Sequence, residues 1–186
     1  MKIRLAAYLQ SDSIVDGEGI RTVIWTQGCP HHCLGCHNPE TQDFKGGALV
    51  EIEEVKKLID ELVGQDGITF SGGDPFFQPG PCSILAEYIK SQGMNVWCYT
   101  GWTYEELINI SKDKKEVMDF LKQIDVLVDG RFVLEKKSYN CIFRGSTNQR
   151  IIDVPKSLKK KKVVLVDKYI HQEKLETRKR PEGLFI

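Results

Sequence analysis

"RTVIWTQGCPHHCLGCHN", residues 21 to 38, changes character halfway along. From about Thr22 to Gln27 it is β-branched and aromatic, which reads as a strand that stops at a glycine. From Cys29 onward it sets Cys29, Cys33 and Cys36 at C-x-x-x-C-x-x-C spacing, with His31, His32 and His37 interleaved. The fold turns on whether other strands also end in chemically unusual sequence.

Several do. "EIEEVKKLIDELV" places Ile52, Val55, Leu58, Ile59 and Leu62 at helical spacing opposite a charged face, predicting an amphipathic helix over 51 to 63. "GITFSGGDP" reads as a buried strand ending in a glycine turn, "CSILAEYIKSQ" as a helix and "NVWCYTG" as a strand. "TYEELINI" is a helix opened by a capping box in which Thr103 and Glu106 stand three apart; "EVMDFLKQ" continues helical and "DVLVDGR" is another strand. Strands alternating with helices predict an α/β fold with right-handed crossovers and a mainly parallel sheet. In such folds ligands gather beyond the carboxyl ends of the strands. Four successive strands end at Cys29 to Cys36, at Gly72, Gly73 and Asp74, at Thr100 and Gly101, and at Asp129, Gly130 and Arg131, so all four groups share one rim. Beyond residue 131 a polar loop leads into a strand at about Arg150 to Val154, and "KKVVLVDKYI" reads as one more strand. The lysine run 159 to 162 reads as a solvated turn or edge guard.

A chain of 186 residues, 41% hydrophobic and 28% charged, has the make-up of one folded domain rather than a disordered segment. Lys plus Arg equals Asp plus Glu at 26 each, so no net field draws it to nucleic acid or to an anionic membrane, and neither is expected as a partner. Lys2, Arg4, Asp12 and Asp16 interrupt any signal-like run near the start, and the apolar run "VVLV" is too short for a bilayer, so a cytoplasmic protein is expected. In a reducing compartment its six cysteines do not suggest a disulfide framework. Three are clustered, and the isolated Cys82, Cys98 and Cys141 are read as core filling.

Three clustered thiols admit two metal readings. A structural zinc site needs four closed ligands, and a Cys3His set using His31, His32 or His37 satisfies that count. An electron-transfer 4Fe-4S cluster takes four cysteines, and no fourth lies nearby. A cluster on three cysteines leaves one iron free for a substrate.

That last arrangement resembles the signature of the radical S-adenosylmethionine superfamily, and the resemblance extends over most of the chain. "SGGDP" at 71 to 75 resembles its methionine-binding turn, in which Gly72 and Gly73 let the backbone approach a ligand unobstructed. "DGEGIRTVIWTQGC" resembles the entry segment of the activases of glycyl radical enzymes, which share the small residue at Gly35. "VLVDGRF" and "FRGSTNQR" resemble the branch acting on the anaerobic ribonucleoside-triphosphate reductase. The resemblance implies that Cys29, Cys33 and Cys36 bind one 4Fe-4S cluster whose fourth iron takes S-adenosylmethionine. It further implies that Gly35, Cys36 and His37 border the adenine, that Gly72, Gly73 and Asp74 hold the methionine end, and that Thr100, Asp129 and Arg131 complete the cofactor site. A low-potential donor such as flavodoxin or ferredoxin would reduce the cluster, and the 5′-deoxyadenosyl radical released would take hydrogen from a glycine of the reductase. Other activases, such as that of pyruvate formate-lyase, and deazaguanine-forming relatives share these signatures. A full eight-unit barrel takes about 250 residues, so an incomplete (β/α) barrel open on one side is expected. The barrel would occupy 1–154, with 155–186 as a C-terminal extension packed on it.

Overall fold

The computed structural model describes residues 1–170. The chain begins with β1 (Lys2–Leu5), β2 (Gln10–Ser13) and β3 (Arg21–Thr26), and after the cysteine loop forms β4 (Ala48–Glu51) and α1 (Ile52–Asp60). Next come β5 (Gly67–Gly72), α2 (Pro79–Ser91), β6 (Asn95–Tyr99), α3 (Tyr104–Ile110), α4 (Lys115–Leu121) and β7 (Val126–Asp129). β8 (Arg150–Asp153), α5 (Val154–Lys160) and α6 (Asp167–Ile170) follow.

The eight strands of the described residues join one sheet in the order β4-β1-β3-β5-β6-β7-β8, with β2 sharing an edge of β3 with β1. Among the described residues β4 and β8 end the sheet, which does not close on itself. The central four strands, β3, β5, β6 and β7, run parallel, as the alternation of strands and helices predicted. Their carboxyl ends therefore lie together at one rim. The flanking pairs are antiparallel, β1 with β3 and β4, β2 with β3, and β7 with β8.

Alternate strand residues supply two cores. Ile24, Ile68, Phe70, Val96, Cys98 and Leu127 face the helices and pack against Val55, Leu85, Ile89, Leu107 and Phe120. Burial of each such side chain contributes about 1.5–3 kcal/mol. Phe120 on α4 meets Phe70 of β5 at 5.3 Å between ring centroids and Phe76, just past the end of β5, at 4.8 Å. The helix layer thus grips the strand that carries the glycine turn. Cys82 and Cys98 are fully buried here, consistent with core filling, and Cys141 is buried in the loop before β8.

On the opposite face, Trp97, Val128, Ile151 and Tyr169 form a smaller core. Arg21 lies beside it, fully buried. Its five N–H groups have five acceptors: Thr69 Oγ1, Glu18 O, Asn95 Oδ1, Ile68 O and Asn95 O, at 2.7 to 3.3 Å. The guanidinium also stacks 5.4 Å from the Trp97 ring. Burial pulls its pKa down to about 10, which leaves it charged at neutral pH. Glu18 accepts hydrogen bonds from Lys168 and Tyr169, tying α6 to the segment before β3.

One expectation changes. "KKVVLVDKYI" is not a strand: only Leu165 bridges to Ile152, and α6 follows at once. The segment follows α5, which the Asp153 side chain caps at the Lys156 N–H with Pro155 in its first turn, and it returns to β8 only where Asp153 N–H donates to Val164 O and Val166 N–H to Ile151 O before α6 begins. Lys159 and Lys160 end α5 and Lys161 and Lys162 form the turn after it, all four exposed and Lys161 left-handed at φ 52°. Of the expected extension 155–186, residues 171–186 lie outside the described residues. Among the described residues no helix is long and apolar enough to cross a membrane.

Phe120→Ala should cost about 3–5 kcal/mol by opening a cavity between α4 and β5, read as a lowered urea midpoint with unchanged slope.

Candidate functional site

The cysteine loop is a short excursion closed at its base by the backbone. Beyond β3, Gly28 N–H donates to Thr41 O at 2.8 Å and Cys29 N–H to Gln42 O at 3.2 Å, so the chain leaves and returns at one point. Gln27 reinforces the closure by donating from Nε2 to the carbonyls of Glu40 and Asp43 at 3.1 and 2.7 Å. Within the loop, Cys36 N–H donates to Cys33 O at 3.1 Å.

The glycine turn is fastened to the same place. Gly73 N–H donates to Thr26 O at 2.7 Å and Asp74 N–H to Gly28 O at 2.9 Å. Packing is tight enough that a Cβ on Gly72, whose φ is 98°, would lie 2.5 Å from Thr26 O, and one on Gly73 would lie 2.4 Å from Gly28 O. The glycines are therefore required by the approach of two backbones, a reason different from the ligand approach expected from sequence.

These two segments border a cleft of about 320 Å³ at the carboxyl rim. Cys29, Cys33, Cys36, His37, Gly72, Gly73 and Thr100 line it. Gly35, Asp74, Asp129 and Arg131 are not among its lining residues. Gly35 turns toward Leu134 and Phe132. The Asp74 carboxylate is buried and accepts hydrogen bonds from His31, Thr100, Gly101 and Phe76. Asp129 is also buried and binds the Arg150 guanidinium and the Tyr104 N–H, so its visible work is to join β7, β8 and α3. Arg131 offers its carbonyl to Asn148.

Sequence reasoning missed several lining residues, among them Asp16, Tyr99, Phe132, Gly145 and Gln149. The signal for the last two lay inside "FRGSTNQR". Gln149 Oε1 accepts from the N–H groups of Gly145 and Ser146 at 2.9 and 3.2 Å while Nε2 donates to Gly130 O at 3.0 Å. One amide thereby folds this loop onto the end of β7. A second chamber of about 580 Å³ shares Asp16, His37, Tyr99 and Gly145 with the first, and its lip carries Ile14 and Val15, both about 70% exposed.

The donor chemistry fits an iron-sulfur group. Three partly exposed free thiols open on one cleft, whereas the other three cysteines are buried. Burial pushes the Cys29 thiol up to about 11, with the charges of Asp74 and the neighbouring cysteines adding to the rise, and burial likewise raises Cys33. Both are therefore thiols at neutral pH, and a thiophilic metal must displace their protons. Among the described residues no three His, Cys, Asp or Glu side chains converge as ligands of a single ion would. A cluster with several irons takes each thiolate on a different iron and needs no such convergence.

Iodoacetamide should label Cys29 and Cys33 of the metal-free chain faster as pH rises from about 8 toward 10, since raised pKa values withhold thiolate at the lower pH, while Cys82 and Cys98 stay unlabelled until unfolding. Gly73→Ala should lower iron retention and melting temperature together. Gly80→Ala, whose Cβ would meet only the flexible Glu116 carboxylate at 3.2 Å, should do neither.

Comparison with known proteins agrees with this chemistry. Residues 15–152 match the family model described as a 4Fe-4S single cluster domain, making this an iron-sulfur domain. Anaerobic ribonucleoside-triphosphate reductase-activating proteins are similar along most of their length. The one from Haemophilus influenzae is 32% identical over 77% of this chain and 96% of its own. The Escherichia coli K12 protein is 35% identical over 73% and 90%, and that of Enterobacteria phage T4 is 31% identical over 74% and 86%. Among solved structures, QueE from Escherichia coli matches 55% of this chain and 53% of its own at 16% identity and a TM-score of 0.47. On the sequence matches, the chain belongs to the family of anaerobic ribonucleoside-triphosphate reductase-activating proteins.

Proposed function

We propose that Cys29, Cys33 and Cys36 hold one 4Fe-4S cluster, that S-adenosylmethionine completes it, and that the chain generates a glycyl radical on the anaerobic ribonucleoside-triphosphate reductase. Bound there, the cluster supplies a low-potential electron to the sulfonium, which is the chemistry that makes a hydrogen-abstracting radical available. The protein's own share is placement. The backbone of Gly72 and Gly73 borders the cleft opposite no side chain of its own, leaving peptide groups to meet the amino end of the methionine. His37, tilted against Phe132 with ring centroids 4.9 Å apart, stands at the passage between the two chambers and suits the adenine edge. Thr100 lines the cleft but spends its hydroxyl on Asp74, so its contribution is to shape the wall.

The observation that favours a polypeptide substrate is the second chamber. It continues the first past Asp16 and Tyr99 to an exposed apolar lip at Ile14 and Val15, a shape suited to a protein loop carrying its glycine inward. An electron donor such as flavodoxin or ferredoxin would serve from outside. A zinc knuckle finds no support in this arrangement, because none of His31, His32 and His37 converges with the three cysteines.

Anaerobic reconstitution with iron and sulfide, followed by reduction with S-adenosylmethionine and added reductase, should give 5′-deoxyadenosine and a glycyl radical signal in the reductase. Cys29→Ala, Cys33→Ala and Cys36→Ala should each reduce both to background. Deoxyadenosine without a radical in the partner would assign the chain to a different substrate.

A further inference from the structure

His31 stands out within the cysteine loop. His32, Leu34 and His37 are exposed, yet the His31 side chain is only 2% exposed and its Nε2 lies 2.7 Å from Oδ2 of Asp74, which is fully buried. An ionised carboxylate only accepts, so Nε2 carries the hydrogen. The ring packs edge-on against Trp102 at 4.8 Å, and it lies so close to Gly101 that a Cβ there would be 2.3 Å from Cδ2. A single imidazole therefore touches the ends of three successive strands: it belongs to the loop after β3, binds the turn after β5 and seats on the segment after β6.

We propose that His31 is a positioning residue whose bond to Asp74 fixes the three cysteines at one spacing from the glycine turn. This rests on the reading of the cleft as the site where one ligand must meet both the cluster and the turn. Such a ligand gains from both attachments only if their separation is held before it binds. The backbone bonds at Thr26 and Gly28 secure only the base of the loop. The His31 bond reaches past them toward the cysteines themselves, between Cys29 and Cys33 in sequence. Asp74 keeps the donors Thr100 Oγ1, Gly101 N and Phe76 N when His31 is lost, so the turn stays folded, but loop and turn lose their brace against each other and both move more freely. A charge-assisted hydrogen bond of this kind, lost from the preorganised state, corresponds to roughly a tenfold or greater loss in affinity for the bridging ligand.

The test compares His31→Phe, which keeps a ring against Trp102 and Gly101 without the hydrogen bond, with His31→Gln, whose amide can restore the donor. In the metal-free chain, His31→Phe should speed amide exchange in both 30–37 and 72–76, and His31→Gln should reverse it. In reconstituted protein, His31→Phe should retain iron but bind S-adenosylmethionine roughly tenfold more weakly, with a smaller change in the cluster's electron paramagnetic resonance spectrum on adding it, and His31→Gln should recover both. Faster exchange confined to 30–37, or wild-type affinity in iron-loaded His31→Phe, would overturn the proposal. Absence of S-adenosylmethionine binding by the unaltered protein would instead defeat the reading of the cleft, and the exchange measurement would still decide whether loop and turn are coupled.

Discussion

Two backbone amides determine what the rim can be. When the N–H groups of Gly73 and Asp74 bond to the carbonyls of Thr26 and Gly28, the end of β5 is laid directly on the end of β3. Nothing with a side chain fits in the gap, and so the turn must be glycine where it crosses. This contact brings the only clustered cysteines of the chain beside a stretch of bare peptide, and the cleft is the space left above them. Parallel pairing makes the contact possible, because only strands running the same way finish at the same edge.

The central strands, the helices between them and the Thr103 capping box were legible because each is specified by neighbours in sequence. The box forms as read, with the Glu106 N–H donating to Thr103 Oγ1 and the Thr103 N–H to Glu106 Oε2. β1, β2 and β4 left little trace: each is four residues long, and "QSDS" of β2 is polar and largely exposed. Their existence follows from the sheet edge that β3 offers, which no local pattern announces. The direction of β8 was hidden for a related reason. The segment 130–149 contains one short turn of helix and no crossover, so the strand after it returns antiparallel.

At the site, the cysteines and glycines were readable as residue types at fixed spacing, while the acids were not. Asp74 and Asp129 both sit at strand ends and both suggested ligand contact, yet each carboxylate is consumed by its surroundings. A buried carboxylate must find donors, and these find them in chain segments 26 and 21 residues away. Burial of that kind is a property of the assembled fold, and a strand-end aspartate looks the same whether its charge will serve a ligand or a neighbouring strand. Arg150, whose basicity the carboxylates of Asp129 and Glu105 raise, is the counterpart that settles the matter for Asp129.

The cleft's remaining side is built of loop. Phe132, Gly145 and Gln149 reach it from a stretch held by side-chain and turn hydrogen bonds rather than by the sheet ladder, whereas the cysteines and glycines are anchored to central strands. Heredity can act on the two separately. Insertions or drift between 131 and 149 alter the surface met by an incoming macromolecule without disturbing the strands that hold the thiols, so one lineage of scaffold can change clientele while its chemistry stays as it was.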